Sequence, residues 1–327
     1  MRLLGIGNAA KLSGYEKKDL QENMAKRPKK RKSKGFPPAT AKPEPSRSVA
    51  QTDKRPMRWD LLVLFLTIAI GGTYLAIWLR PKNIVPRFSY EVLKTYEHDP
   101  LAFTQGLVFD DGYLWESTGR YGESSLRKID LESGEILKRV DLPKDIFAEG
   151  LAVHNNKLYQ LTWQENKAFV YDREFNKIGE FDYEGEGWGL TSNGTDLIFS
   201  DGSTTIKFLD PETFKVRRQI SVRRPDRLPV GELNELEYVN YQGGRIYANR
   251  YRYDQIYEID PLTGDVTKVI DLSGLWPISE RPADGLLNGI ALNPKTDKLL
   301  VTGKLCPKIY ELRLYPEGGD PKRSLSD

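Results

Sequence analysis

The sequence predicts an all-β fold: a five-bladed β-propeller closed by an N-terminal strand and preceded by one transmembrane helix and a disordered basic tail. A short element, in most repeats an X-Gly-Leu triplet, recurs five times at intervals of 39 to 54 residues, which is the spacing of propeller blades. Strand signals follow each element in a constant order, and one long apolar segment predicts the helix. The repeated element occupies residues 103–107, 147–151, 186–190, 233–236 and 287–290.

The first 58 residues form a basic segment with 16 Lys/Arg against 5 Asp/Glu and almost no apolar periodicity. This composition predicts a disordered cytoplasmic tail. Its positive charge would set the orientation of the chain in a membrane, bind anionic lipid, or do both. Because residues 80–327 are mildly acidic, with 33 Lys/Arg against 40 Asp/Glu, no nucleic-acid partner is predicted.

Residues 59–79 are apolar, with one charge near the start and aromatic residues at both ends. At ~1.5 Å per residue this length matches a hydrocarbon core of about 30 Å. No clear small-residue cleavage site follows, so the segment is predicted to be an uncleaved transmembrane signal anchor. The excess of Lys/Arg before it predicts a cytoplasmic N-terminus. Residues 80–327 are then an extracytoplasmic domain, periplasmic or lumenal.

The strands of the domain are predicted from β-branched and aromatic runs separated by Gly, Asp and Pro turns. Four such runs per repeat make one blade. The fifth repeat ends after its third strand, whereas residues 90–96 form a strand before the first repeat. We expect this strand to become the outer strand of the last blade, which closes the ring and covers the open edges.

One polar or aromatic residue occupies the same position in each repeat, and circular repetition brings these positions to one axis. A second set of matched positions lies at the ends of the second strands. Together they predict a binding pocket with aromatic walls and convergent polar groups. Some of these positions also have purely structural interpretations. The glycines of the repeats would allow close backbone packing, and Asn288 would connect loops. Lys304 is either an exposed lysine at a strand end or a residue of the site. The first set is Gln105, Glu149, Trp188, Asn234 and Asn288, and the second is Gly119, Trp163, Gly202, Tyr251 and Lys304.

Motifs in all five repeats, covering about residues 88 to 313, resemble those of the plant-type glutaminyl-peptide cyclotransferases. The resemblance implies a five-bladed propeller that converts N-terminal glutaminyl residues to pyroglutamyl and releases ammonia. Its substrates would be peptides or proteins with an N-terminal Gln. The motifs include Phe103-Thr-Gln-Gly-Leu107, Phe147-Ala-Glu-Gly-Leu151, Leu161-Thr-Trp163, Glu186-Gly-Trp-Gly-Leu190, Leu233-Asn-Glu-Leu236, Leu287-Asn-Gly-Ile290 and Val301-Thr-Gly-Lys304.

The same resemblance implies that Glu149 is the essential acid/base. Two stretches depart from the family pattern: Ala248-Asn-Arg-Tyr251 stands where relatives carry Ala-Asn-Val-Trp, and Lys304-Leu-Cys-Pro307 where they carry Lys-Leu-Trp-Pro. Tyr251 keeps an aromatic face and is retained as a substrate contact. The substrate-binding residues are then Phe103, Gln105, Phe147, Trp163, Trp188, Asn234, Tyr251 and Lys304.

These residue types suit a cyclisation. One carboxylate can accept the amine proton and then deliver it to the departing ammonia, and a dry aromatic surrounding would raise the pKa of Glu149 towards neutrality. Donors from Gln105, Asn234 or Lys304 would stabilise the oxyanion. No cofactor is expected. No metal site is expected either, because His98 and His154 offer no ligand pair.

Two other classes of function remain open from the residues. A non-catalytic propeller would bind a protein or peptide partner at the same channel mouth, since fold alone does not determine function. A propeller hydrolase with a channel metal would have to take its ligands from Glu149, Asn234 and Asn288. The combination of Glu149 with Gln105, Asn234 and Lys304 favours the cyclotransferase, because a binding surface does not need that set.

Overall fold

The computed structural model describes residues 59–78, 84–241 and 243–319. The predicted tail, residues 1–58, lies outside the described residues. Internal contacts separate a unit that ends at Tyr74 from one that begins at Leu75. The predicted boundaries after residues 58 and 79 stay predictions.

Helix α1 (Trp59–Trp78) occupies most of the apolar segment. Within it, the Thr67 hydroxyl donates to the carbonyl of Leu64 at 2.9 Å, which satisfies the hydroxyl inside the helix. Among the described helices, none combines the length and the apolarity required to cross a membrane. The predicted transmembrane signal anchor at residues 59–79 is therefore wrong.

After α1, the described residues of the second unit form strands and one short 3₁₀ helix, Ile278–Glu280, which confirms the all-β class. The strands are β1 (Arg87–Glu97), β2 (Thr104–Asp110), β3 (Tyr113–Thr118), β4 (Ser125–Ile129), β5 (Ile136–Asp141), β6 (Ala148–His154), β7 (Lys157–Thr162), β8 (Lys167–Tyr171), β9 (Lys177–Asp182), β10 (Leu190–Ser192), β11 (Leu197–Ser200), β12 (Thr205–Leu209), β13 (Val216–Ser221), β14 (Leu233–Val239), β15 (Arg245–Arg250), β16 (Gln255–Ile259), β17 (Val266–Asp271), β18 (Leu286–Asn293), β19 (Lys298–Lys304) and β20 (Lys308–Pro316).

The described strands form four sheets and not five. Strands β2 to β5, β6 to β9 and β10 to β13 make three four-stranded sheets, whereas the fourth has eight strands in the order β14-β15-β16-β17-β1-β20-β19-β18. Strand β1 joins β14 to β17 and β18 to β20 into this one sheet, because it pairs along both of its edges. It pairs antiparallel with β20 and, through Arg87 and Phe88, in parallel with β17. The predicted five-bladed propeller behind a transmembrane helix is therefore wrong.

The repeated elements lie on strands that contact one another in the order β2, β6, β10, β14, β18 and back to β2. Glycine permits this close approach. A Cβ on Gly106 would stand 2.4 Å from the Leu151 amide nitrogen, and one on Gly150 would stand 2.5 Å from that of Leu190. Any side chain at either position would push two neighbouring strands apart.

The core lies between neighbouring sheets and between the strands of each sheet. Trp115, Tyr159 and Phe208 are its largest side chains with less than 2% exposure. Burying an aromatic or aliphatic side chain of this size contributes about 1.5–3 kcal/mol. This packing supplies the stability of a unit whose one cysteine, Cys306, is free and buried.

Two buried carboxylates on β14 connect it to the inner strands β2 and β18. Glu235 accepts from the amides of Leu107 at 3.2 Å and Ile290 at 2.8 Å. Glu237 accepts from the Leu292 amide at 2.9 Å. Burial raises the pKa of Glu237 to about 8; burial and the charge of Glu237 raise the pKa of Glu235 well above its ordinary value.

Glu237→Gln is expected to remove part of the pH dependence of stability. In the wild type, the folded state holds the Glu237 proton up to about pH 8, whereas the unfolded chain releases it near its ordinary pKa of about 4.3. The free energy of unfolding therefore falls as pH rises through that window. Urea unfolding at pH 5 and pH 9 measures this decrease in the free energy of unfolding, which should be smaller in Glu237→Gln than in the wild type. An unchanged difference would contradict a buried, titrating Glu237.

Candidate active site

The polar residues of the repeats lie at β-bulges, which re-aim side chains out of the regular strand alternation. The strand registers shift between Thr104 and Gly106, Ala148 and Leu151, Leu233 and Leu236, and Leu287 and Ile290. Trp188 precedes β10, where its carbonyl accepts from the Gly150 amide at 2.8 Å. The repeat thus places these side chains at equivalent points of the ring.

Glu149 and Gln105 are brought into direct contact. Gln105 Nε2 donates to Glu149 Oε1 at 2.8 Å. Asn288 Nδ2 donates to the Thr104 carbonyl at 3.0 Å and to Gln105 Oε1 at 3.4 Å. Asn288 therefore orients Gln105, and Gln105 orients the carboxylate.

Glu149 is only 5% exposed. Burial raises its pKa well above the usual range, the positive charge of Lys304 opposes that rise, and Glu186 and Glu165 add to it. Each of these effects follows from placing a charge in a poorly hydrated site. The result is a carboxyl group that holds its proton to a higher pH than an exposed glutamate does.

Lys304 ends β19 and is also 5% exposed. Its Nζ lies 5.0 Å from the ring centre of Phe103 and 5.4 Å from that of Tyr251, within range of cation–π attraction. Burial lowers the pKa of this amine, whereas the charges of Glu149 and Asp284 raise it. Lys304 is thus a buried cation coupled to Glu149 through space.

We call five half-buried aromatic residues the aromatic rim: Phe103, Phe147, Trp163, Trp188 and Tyr251. Phe147 makes edge contacts with Phe103 at 6.3 Å and with Trp163 at 5.5 Å between ring centres. Trp188 makes a similar contact with Tyr251 at 5.6 Å. Such T-shaped pairs favour a defined mutual orientation of the rings.

Gly119, one of the matched strand-end positions, makes room for the rim. A Cβ at Gly119 would lie 2.4 Å from Phe147 Cε1 and 3.0 Å from Gln105 Cγ. A larger residue would displace both the ring and the amide that contacts Glu149. This position therefore serves the site by its lack of a side chain.

Glu186 is a site residue that the sequence interpretation missed, although it begins one of the repeated elements. Its Oε2 accepts the indole N–H of both Trp163 and Trp188, each at 2.9 Å, and its Oε1 accepts from Gln164 at 3.0 Å. Burial opposes ionisation, but the three hydrogen bonds lower the pKa of Glu186 below its usual value. An anionic Glu186 thus fixes two members of the rim.

Asn234 is buried, with 3% exposure, but makes no described contact with Glu149. Its carbonyl accepts from Ser200 Oγ at 2.7 Å. Its side-chain Oδ1 has no hydrogen-bond partner within the described part of the chain. A buried acceptor without a partner is costly, so Asn234 is suited to receive an N–H from a bound molecule.

The residues that depart from the family pattern have partners of their own. Arg250 pairs with Glu232 at 3.1 Å. Cys306 donates to the Lys308 carbonyl at 3.3 Å, and burial raises the pKa of its thiol, which suppresses thiolate chemistry. The Cys306 carbonyl accepts from buried His98, whose Nε2 lies 2.9 Å from Glu116. Both ring nitrogens of His98 are therefore held, one by Glu116 on β3 and the other by the loop between β19 and β20.

Known proteins support one family. The family model for glutamine cyclotransferase matches residues 65–314. Glutaminyl-peptide cyclotransferase of Arabidopsis thaliana is 42% identical over 233 residues, which cover 68% of this chain and 71% of the relative. The crystal structure of Myxococcus xanthus glutaminyl cyclase is 38% identical, with a TM-score of 0.66 over 71% of this chain and 99% of that one.

Proposed function

Because this chain belongs to the glutamine cyclotransferase family and is an enzyme of the glutaminyl-peptide cyclotransferase class, we propose that Glu149 is its proton shuttle. The substrates are peptides or proteins with an N-terminal Gln. The reaction forms a bond between the α-nitrogen and the side-chain carbonyl carbon and breaks the carboxamide C–N bond. Pyroglutamyl peptide and ammonia are the products.

The contact that carries this proposal is the 2.8 Å hydrogen bond from Gln105 to Glu149. A carboxylate that is both buried and held by an oriented amide is suited to proton transfer at a defined point. The raised pKa of Glu149 reduces the difference between its pKa and that of a peptide α-amino group, which is about 7.7–8.0. Transfer of a proton from the amine to Glu149 therefore costs less free energy than transfer to an exposed glutamate would.

In the first step, the neutral α-amine attacks the γ-carbonyl carbon, and negative charge develops on the carbonyl oxygen. Ionised Glu149 accepts a proton from the attacking nitrogen. Lys304 is the group best suited to stabilise the oxyanion, because its ammonium is buried between rings and is poorly hydrated. Preorganised donors of this kind contribute about 3–4 kcal/mol in other enzymes.

In the second step, protonated Glu149 delivers the same proton to the departing nitrogen, and the C–N bond breaks to release ammonia. In this scheme one N–H of Gln105 holds Glu149, and stabilisation of the oxyanion is assigned to Lys304. The free Oδ1 of Asn234 accepts an N–H of the substrate. The aromatic rim holds the folded side chain of the glutaminyl residue, which supplies the proximity effect.

A mass-spectrometric assay with the purified full-length chain tests the proposal. A Gln-initiated peptide should lose about 17 Da, the mass of ammonia, as the ring closes. The same peptide with an acetylated α-amine should remain unchanged, because it has no nucleophile. Deamidation of the acetylated peptide, with a mass gain of about 1 Da, would identify a hydrolase and overturn the cyclisation.

Glu186→Ala is expected to weaken substrate binding more than turnover. The change leaves two indole N–H groups without their charged acceptor, and hydrogen bonds to charged groups contribute about 1.5–3 kcal/mol each. We expect KM to rise about tenfold, with a smaller change in kcat. Glu186→Gln keeps an acceptor and should recover part of the loss. A fall in kcat at constant KM would contradict a positioning role.

The predicted placement of residues 80–327 outside the cytoplasm rested on the anchor and stays a prediction. A reporter fused to the C-terminus, active on only one side of a membrane, tests it.

A further inference from the structure

A cavity of about 540 Å³ opens beside the aromatic rim, between the loop after β15 and the loop before β18. Arg252 and Tyr253 line it from the first loop, and Ile278 and Leu286 from the second. A volume of 300–1,000 Å³ is typical of ligand pockets. The cavity lacks Glu149 and the other residues of the proposed chemistry, so it is a separate compartment.

The cavity adjoins the active site, because two of its lining residues, Arg252 and Leu286, neighbour Tyr251 and Lys304. Tyr251 belongs to the aromatic rim, with Lys304 Nζ 5.4 Å from its ring centre; the Arg252 guanidinium carbon lies 5.1 Å from the same ring centre. Leu286 is the register partner of Lys304 between β18 and β19. A molecule anchored at Glu149 and leaving the mouth past Tyr251 therefore enters this cavity.

The charges of the cavity are unbalanced. The Arg281 guanidinium is neutralised by Asp254 through two 2.8 Å hydrogen bonds. Arg252 is exposed and forms no ion pair or hydrogen bond with the residues that the structure describes. One cation is thus left facing a pocket that also offers apolar surface, with Tyr253 43% and Ile278 79% exposed.

We infer that this cavity is a subsite for the residues that follow the N-terminal Gln, and that Arg252 gives it a preference for an acidic side chain. The inference rests on the proposed function. Once the glutaminyl side chain is folded against the rim, the peptide continues from its α-carbonyl towards solvent. An extended chain advances about 3.3 Å per residue, so the first few residues after the Gln reach a compartment that begins one side chain away.

Cyclisation rates for a matched peptide series test the subsite. Each peptide begins with Gln and carries Glu, Gln or Lys at the second, third or fourth position in an otherwise identical sequence. For the full-length wild type, we expect kcat/KM to favour Glu over Lys about fivefold at one of these positions, as for an exposed ion pair. The preference should shrink in 0.5 M NaCl because salt screens such pairs.

Arg252→Glu should reverse the Glu-to-Lys ratio at that position, and Arg252→Gln should bring it close to one. Arg139→Glu is the matched control, because Arg139 lies on the outer strand β5 and pairs with Asp141; its ratio should equal that of the wild type. A ratio that is flat at all three positions, or unchanged in Arg252→Glu, would overturn the inference while leaving cyclisation intact. A wild type that cyclises no peptide of the series would overturn both proposals.

Discussion

Glu149→Gln is expected to reduce kcat for Gln-initiated peptides by about 10³-fold, within the range that general acid–base catalysis contributes. The substitution keeps the size of the side chain and an oxygen that can accept from Gln105. It removes only the ability to take up and return a proton. The release of ammonia and the loss of mass from the peptide measure the effect directly.

The fold of this variant should survive. Burial raises the pKa of Glu149, so its ionised form carries a cost that a neutral amide avoids. The thermal midpoint should therefore equal or exceed that of the wild type. Glu184→Gln changes an exposed carboxylate two residues before Glu186. It controls for general charge effects and should keep full activity. Near-normal turnover in Glu149→Gln would remove the proton shuttle.

The repeat made the central contact of the site predictable. Matched positions in different repeats fall at matched bulges, so register alone brought Gln105 towards Glu149. Rim residues at matched strand ends were found for the same reason. Roles that depend on side-chain direction carried no such signal. The reach of Glu186 to two indoles depends on how neighbouring segments pack.

The fold was predictable only to its class. Runs of β-branched and aromatic residues between turn residues identified the strands. Burial alternates along the outer strand β5 but is nearly continuous along inner strands such as β6. Pairing between distant strands leaves a weaker trace: the contact of β1 with β17 rests on Arg87 and Phe88, too short a stretch for any periodic pattern. That contact fuses two sets of strands into one sheet. Likewise, an apolar run of 21 residues predicted an anchor that the described helix does not support.

Lys304→Met carries the second large expected effect, a fall in kcat/KM of about 10²-fold, as for loss of one oxyanion donor. Methionine has a similar length to the lysine stem and keeps an apolar side chain beside Phe103 and Tyr251, but it removes the ammonium and its cation–π contacts. The free energy of unfolding should not fall, because burying an ammonium is itself costly. Lys298→Met, at the opposite end of β19, is the matched control and should retain activity.

The pH dependence separates Lys304 from a residue that only packs. In the wild type, the positive charge of Lys304 opposes the rise in the pKa of Glu149. Without that charge the pKa rises further, so Glu149 binds its proton at a higher pH and loses the ionised form that accepts from the amine. The acidic limb of the kcat/KM profile should therefore move to higher pH in Lys304→Met. The limb should stay in place in Lys298→Met, and a limb that stays in place in both variants would show that Lys304 and Glu149 are not coupled.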